Sequence, residues 1–275
     1  MTNILIPTDF SDNSWNAIRY TLQFFKNCSC TFYLLHVNET VVIKGVTSSR
    51  IQHKSKQNLE YKNKLNELIQ KIEKNNLKYN HRFFTLVANG VIVDAIRNEV
   101  QDKHLDLIVM GTQGANLIKK YSVGSNTTDV LNKVKCNLLV IPENAIFTKV
   151  DQVALPTDYS IFFGPNLLNP IASILGLFDA KLHIFHVAKS NEKVLDEMQE
   201  NKELLADYFS DSKHEFHSIT HQNMNEAIQK CVEKHEIKLI AMVAKNIHFF
   251  QQLFFNPEKS QINYQKKIPF LVLHE

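Results

Sequence analysis

Gly111, Gly114, Gly124 and Ser125 share one stretch of chain, L-I-V-M-G-T-Q-G-A-N-L-I-K-K-Y-S-V-G-S, running from Leu107 to Ser125. The chain has seven glycines, and three of them fall here. The stretch begins as an apolar strand, Leu107–Met110, and becomes a loop. It then leads into N-T-T-D-V-L-N-K-V, a helix start with Ser125 or Asn126 near the N-cap. A glycine loop between a strand and a helix N-terminus suits phosphate. Glycine lets the backbone approach closely, its N–H groups point inward, and the helix dipole favours negative charge. The P-loop pattern G-x-x-x-x-G-K-[ST] is not met, because no Lys stands in that place. The dinucleotide fingerprint G-x-G-x-x-G follows a first strand, not a fourth. What is present is G-x2-G-x9-G-S, and the competing reading is that these glycines only make turns.

Other residues invite chemistry and carry a plainer alternative. Asp9 closes the first strand and either meets a ligand or caps the next helix. His36 and His186 lie on apolar strands and read as satisfied core histidines rather than catalysts. His214, His217 and His221 are closely spaced, but strand positions three apart face opposite ways, so no shared metal is expected. Lys119 and Lys120 lie in the nine-residue spacer, as solvated loop or as phosphate contacts. Phe249, Phe250, Phe254 and Phe255 read as packing. Gln113 could orient a water, yet no Walker acid or arginine stands near the loop. Binding is therefore expected before catalysis.

These residues need strands that end together. In the first half, Asn3–Pro7 reads as a strand and ends in T-D-F-S, where Ser11 or Asp12 can cap a helix to Phe25. Thr31–Val37 is a second strand. A loop to about Ile51 follows, then an amphipathic helix from His53 to Asn76 with a stripe of Leu59, Leu65, Leu68, Ile69 and Ile72. Tyr79–Val87 is a third strand, Val91–Val100 a helix, Leu105–Met110 a fourth strand, Thr127–Val134 a helix and Cys136–Ile141 a fifth strand.

The second half repeats the first. I-L-I-P-T-D-F-S at 4–11 recurs as V-A-L-P-T-D-Y-S at 153–160, and L-L-H-V at 34–37 as I-F-H-V at 184–187. D-L-I-V-M at 106–110 recurs as K-L-I-A-M at 238–242, and N-L-L-V-I at 137–141 as P-F-L-V-L at 269–273. The offset falls from 149 at the first pair to 132 at the last, so the second copy loses about 18 residues between its second and fourth strands. A period this long marks a duplicated domain, not a solenoid. The expected domains are 1–146 and 147–275. Strands alternating with helices imply α/β architecture: two tandem doubly wound, flavodoxin-like or Rossmann-like domains, each with a five-stranded parallel sheet. A ligand crevice is expected at the carboxyl ends of the strands, where Asp9, Val37 and Gly111 all fall.

Composition sets outer bounds. The chain of 275 residues is 44% hydrophobic and 21% charged, with net charge +3 and pI about 8.5. That is ordinary for a globular protein and too mild to argue for nucleic acid. No apolar run is long enough to span a bilayer. The N-terminus enters a strand directly, so no signal peptide and no membrane partner are expected. Cys28 and Cys30 form C-x-C and no second pair completes a zinc site, so reduced thiols and a cytoplasmic location are expected.

The P-T-D-F-S after the first strand, the H-V ending the second, V-M-G-x2-G-x9-G-S and the closing L-L-V-I-P resemble the ATP-binding members of the universal stress protein family. The resemblance covers nearly the whole chain as two tandem copies. It implies ATP as ligand and contacts from Pro7, Thr8, Asp9, Val37, Met110, Gly111, Gly114, Gly124, Ser125, Asn126 and Thr127. Asn126 departs from the small apolar residue usual at that position. In the second copy Asp158 and His186-Val187 remain, but Gly111, Gly114, Gly124 and Ser125 become Val243, Asn246, Asn256 and Pro257. That copy is therefore expected to be degenerate. The resemblance further implies that the two copies pair within the chain through their final strands, Leu138–Ile141 and Leu271–Leu273. A homo-oligomer is expected in addition because homodimers are common, and so is an unidentified protein partner. The expected role is an ATP-dependent switch or adaptor in a stress response. The alternatives are a slow ATPase, with Mg2+ held by the phosphates and Ser125, and a ligand-free scaffold.

Overall fold

The computed structural model describes residues 2–39, 48–75, 77, 79–112, 125–188, 196–220, 224–245 and 267–275. Gln113, Gly114, Lys119, Lys120, Gly124, His221, Asn246, Phe249, Phe250, Phe254, Phe255, Asn256 and Pro257 lie outside the described residues. The chain divides into two compact units, one ending at Glu143 and the other beginning at Asn144.

The first unit opens with β1 (Thr2–Pro7), whose Ile4, Leu5 and Ile6 are fully buried, as a strand covered on both faces requires. Helix α1 (Asp12–Phe24) follows, capped by Ser11, whose hydroxyl accepts from the Ser14 N–H at 3.2 Å. Next come β2 (Cys30–Asn38), α2 (Ser48–Lys74), β3 (Arg82–Asn89), α3 (Ile92–Lys103), β4 (Leu107–Gly111), α4 (Ser125–Lys133) and β5 (Asn137–Ile141). The strands run in the order β3-β2-β1-β4-β5 and every pair is parallel. The chain winds outward from β1 to β3, then crosses to β4 on the other side of β1. The sheet therefore reverses direction between β1 and β4, which is the doubly wound arrangement.

Local expectations fail in three places. Helix α2 starts at Ser48, five residues before His53. Its stripe holds Leu65, Leu68 and Ile72, but Leu59 is 61% exposed. Six residues separate Leu59 from Leu65, which places it about 120° from the stripe on a helix of 3.6 residues per turn. Strand β3 begins at Arg82 rather than Tyr79, because Tyr79 adopts φ +43° and so forms a turn.

The second unit repeats the plan with β6 (Gln152–Thr157), α5 (Pro165–Phe178), β7 (Lys181–Ala188), α6 (Asp196–Tyr208), β8 (His214–Thr220), α7 (Met224–Lys234), β9 (Leu239–Val243) and β10 (Phe270–Leu273). Its parallel strands lie in the equivalent order, β8-β7-β6-β9-β10. Helix α6 has 13 residues against 27 in α2, so helix trimming accounts for most of the shortening. Phe185, Phe209 and Phe270 are fully buried at its core.

Cys28, Cys30, Cys136 and Cys231 are free thiols. Burial pushes Cys30 and Cys136 up to about 12, which keeps them protonated and unreactive at neutral pH. Among the described residues no helix is long and apolar enough to cross a membrane.

Replacing Ser11 with Ala should cost about 1 kcal/mol through the lost cap. Trp15, the single tryptophan, lies in α1, so denaturant unfolding followed by its fluorescence reports on the first unit and checks this.

Candidate functional site

The carboxyl ends of β1, β2 and β4 converge on a cleft of about 490 Å³. That lies within the range of small-molecule sites, about 300–1,000 Å³. Pro7, Thr8, Asp9, Val37, Met110, Gly111, Ser125, Asn126 and Thr127 line it. These are the sequence candidates that fall within the described residues, and topology brings all of them to one place.

The turn leaving β1 is built by its own side chains. The Asp9 Oδ1 accepts from the Ser11 N–H at 3.0 Å and from the Ser11 hydroxyl at 2.6 Å. The Thr8 Oγ1 accepts from the Phe10 N–H at 3.1 Å and lies 2.9 Å from the Ser14 hydroxyl. Phe10 is thereby held at φ +65°, a left-handed conformation rare for a bulky residue. Its ring packs on His36, centroids 4.8 Å apart, and stacks with Tyr61 at 6.4 Å. His36 meets the Thr8 carbonyl through Nδ1 at 2.9 Å. A carbonyl only accepts, so Nδ1 carries the proton. Burial lowers the His36 pKa, opposed by the Thr8 carbonyl and by Asp9, so the ring is neutral at neutral pH.

The second unit repeats the bonds from Asp and Thr that shape this turn. Asp158 Oδ1 accepts from the Ser160 N–H and hydroxyl at 3.0 and 2.6 Å, and Thr157 Oγ1 accepts from the Tyr159 N–H at 2.9 Å. Tyr159 has φ +59°, and its ring lies 4.8 Å from His186. The P-T-D-aromatic-S motif is thus a folding device in both copies. Asp9 holds a tight turn whatever else it touches.

The opposite wall forms where β4 ends. A Cβ added at Gly111 would sit 2.7 Å from the Asn13 side-chain amide nitrogen, so the Asn13 side chain packs against the bare backbone there and would have to shift for any larger residue. The corresponding Val243 ends β9 in the second unit and is buried. Thr127, 3% exposed, donates its hydroxyl to the Gly111 carbonyl at 2.8 Å. Its hydroxyl therefore ties α4 to β4 at the edge of the cleft. Ser125 and Asn126, the first residues of α4, are exposed and border the cleft with the positive end of the helix dipole.

The cleft also takes in Ser14, Leu35, His36, Asn38, Glu39, Tyr61 and Ile92. His36 was legible in the sequence as a buried ring with a partner. Tyr61 was not, because nothing on a polar helix marks one aromatic as facing a distant strand end. Among the histidines, His214 bonds the Ser212 carbonyl at 3.0 Å through Nδ1, while His217 turns to His183, ring nitrogens 3.0 Å apart. The alternation of strand faces separates His214 from His217 as expected.

A profile of the universal stress protein family matches residues 1–142. A universal stress protein of Methanocaldococcus jannaschii is 27% identical over 138 residues, covering 50% of this chain and 80% of its own length. Among solved structures, a universal stress protein from Archaeoglobus fulgidus superposes with TM-score 0.69 at 21% identity, covering 99% of this chain and 96% of that one. A second, from Pseudomonas aeruginosa, gives TM-score 0.56 at 15% identity, covering 99% of this chain and 93% of that one. At these identities the structural likeness speaks to the fold, and it extends over both halves.

Proposed function

Because the chain belongs to the universal stress protein family, we propose that residues 1–146 bind ATP and that the whole acts as a nucleotide-dependent switch or adaptor in a stress response. Residues 147–275 form the degenerate partner domain. The observation that carries this reading is the convergence of Val37, Met110, Gly111, Ser125 and Asn126 on one cleft beside a helix N-terminus. The residues fit the ligand's chemistry. The strand end at Val37 and the rings of His36 and Tyr61 offer a half-apolar wall for a base. Gly111 and the start of α4 offer backbone and dipole to phosphates. Mg2+, if it accompanies ATP, would be held by the phosphates with Ser125 as the one protein hydroxyl assigned to it.

Binding is favoured over turnover because the groups nearest the turn are engaged in holding it. Asp9 Oδ1 is bonded to Ser11, and the His36 Nδ1–H to Thr8. The test is mass spectrometry of small molecules released from denatured protein, with calorimetric titration of ATP, ADP and AMP. ATP released or bound in the micromolar range or tighter supports the reading. No nucleotide in either experiment would reject it in favour of the scaffold.

Thr127→Val provides a finer check. The isostere removes the bond to Gly111 without adding bulk. A net bond of about 0.5–1.5 kcal/mol is lost from the folded first unit, read as a lower midpoint of Trp15 fluorescence in denaturant, and ATP binding should weaken by no more than roughly 12-fold through the loosened start of α4.

A further inference from the structure

We propose that the second unit binds a zinc-class divalent cation through His183, His217 and His235. The three side chains come from different elements: His183 from β7, His217 from β8 and His235 from the turn that ends α7. One ring nitrogen of each lies within 4.8 Å of the others. His183 Nδ1 and His217 Nε2 are already 3.0 Å apart. Two nitrogens on a tetrahedral zinc, each at about 2.0–2.1 Å, lie roughly 3.3 Å apart, so this pair needs little movement. His235 stands with its ring centroid 4.6 Å from His183 and 4.5 Å from His217, and a side-chain rotation brings its nitrogen in.

The surroundings are those of a ligand set. His183 is 3% exposed, and its Nε2 lies 2.8 Å from the Gln152 Oε1. The amide oxygen only accepts, so Nε2 carries the proton and Nδ1 turns a lone pair toward the other two rings. A carbonyl on the far nitrogen is the usual way a ligating histidine is oriented. The Phe185 ring lies 4.8 Å from His217 and 5.8 Å from His235, and forms an apolar wall. Glu215 Oε2 lies 3.9 Å from His217 Nε2 and is held by Lys181 at 2.7 Å. Its carboxylate stands within reach of a fourth coordination position, which water can otherwise fill.

Burial lowers the pKa of all three imidazoles, that of His183 to about 4, so at neutral pH they are uncharged donors. Three neutral imidazoles suit zinc and its neighbours and do not suit magnesium or calcium. On binding, the proton that His217 Nε2 donates to His183 moves to its Nδ1 or to solvent, and both lone pairs turn to the ion. The site is distinct from the proposed nucleotide cleft. It lies in the other unit, and His183 precedes the end of β7 by five residues.

The experiment uses tag-free full-length protein stripped with chelator, then titrated with Zn2+ against a chromophoric chelator. Uptake of one zinc per chain is expected. His235→Gln, at a half-buried helix end where folding is least exposed to harm, and His217→Ala should each weaken it at least about 100-fold. Gln152→Ala should weaken it about 10- to 100-fold, as loss of an outer partner does. Circular dichroism confirms that each variant is folded. Zinc should also raise the melting temperature of the wild type and not that of His235→Gln. No uptake by the wild type, or equal uptake by the wild type and both folded histidine variants, overturns the proposal and leaves the cluster as hydrogen-bonded packing.

Discussion

Titration of the intact chain with ATP is expected to saturate at one site per chain, and Gly124→Val to remove that site while the fold persists. A phosphate-binding loop works through converging backbone N–H groups with little bulk above them. At 111, 114, 124 and 125 the first copy has glycine, glycine, glycine and serine, where the second has valine, asparagine, asparagine and proline. A carbon added at Gly111 would come within 2.7 Å of the Asn13 side-chain amide, so that side chain would have to move. Val243 stands at the corresponding position of the second unit and is buried there. Charge-assisted hydrogen bonds contribute about 1.5–3 kcal/mol each, so losing two or more costs at least a hundredfold in affinity. Calorimetry on wild type and variant, with matched circular dichroism, checks both stoichiometry and loss. Two equivalent sites, or one site indifferent to Gly124→Val, would place the nucleotide elsewhere.

The second large effect concerns the sheet that carries the cleft. Phe32 is fully buried on β2, stacked on Phe83 with centroids 5.5 Å apart and edge-on to His81 at 4.8 Å. Phe32→Ala should cost the first unit about 3–5 kcal/mol, the transfer of the ring plus the cavity left behind. The readout is Trp15 fluorescence in denaturant, where the midpoint should fall sharply. Saturating ATP should recover part of the loss, about 2.7 kcal/mol at a hundred times the dissociation constant, because ligand binds only the folded unit. A midpoint that barely moves would mean that β2 packs differently from the described structure.

Much of this architecture was legible because it is local. Buried parallel strands are short runs of apolar residues, as in Ile4–Ile6 and Leu107–Met110, and such runs need no partner to be recognised. The cap at Ser11 is a hydroxyl three residues before the N–H it accepts. The duplication was visible because the same turn must be built twice: P-T-D-F-S and P-T-D-Y-S encode the same three side-chain bonds and the same left-handed aromatic. Where local reading failed, a single residue had overruled a pattern. Tyr79 turned the chain before β3, and Leu59 lay a third of a turn off a stripe it seemed to continue.

By itself the sequence determined the two α/β copies, the turn after each first strand and the glycine spacing that the first copy has and the second lacks. Each is a matter of residue type and spacing within one segment, governed by sterics and short hydrogen bonds. The tertiary structure alone decided which distant residues meet. It brought Tyr61 on α2 to the ring of His36 and turned the Thr127 hydroxyl inward to Gly111. It parted His214 from His217 and joined His217 to His183 and His235. Those meetings depend on strand order, register and the angle at which a helix ends. These are set by packing of the whole sheet, and no spacing along the chain records them.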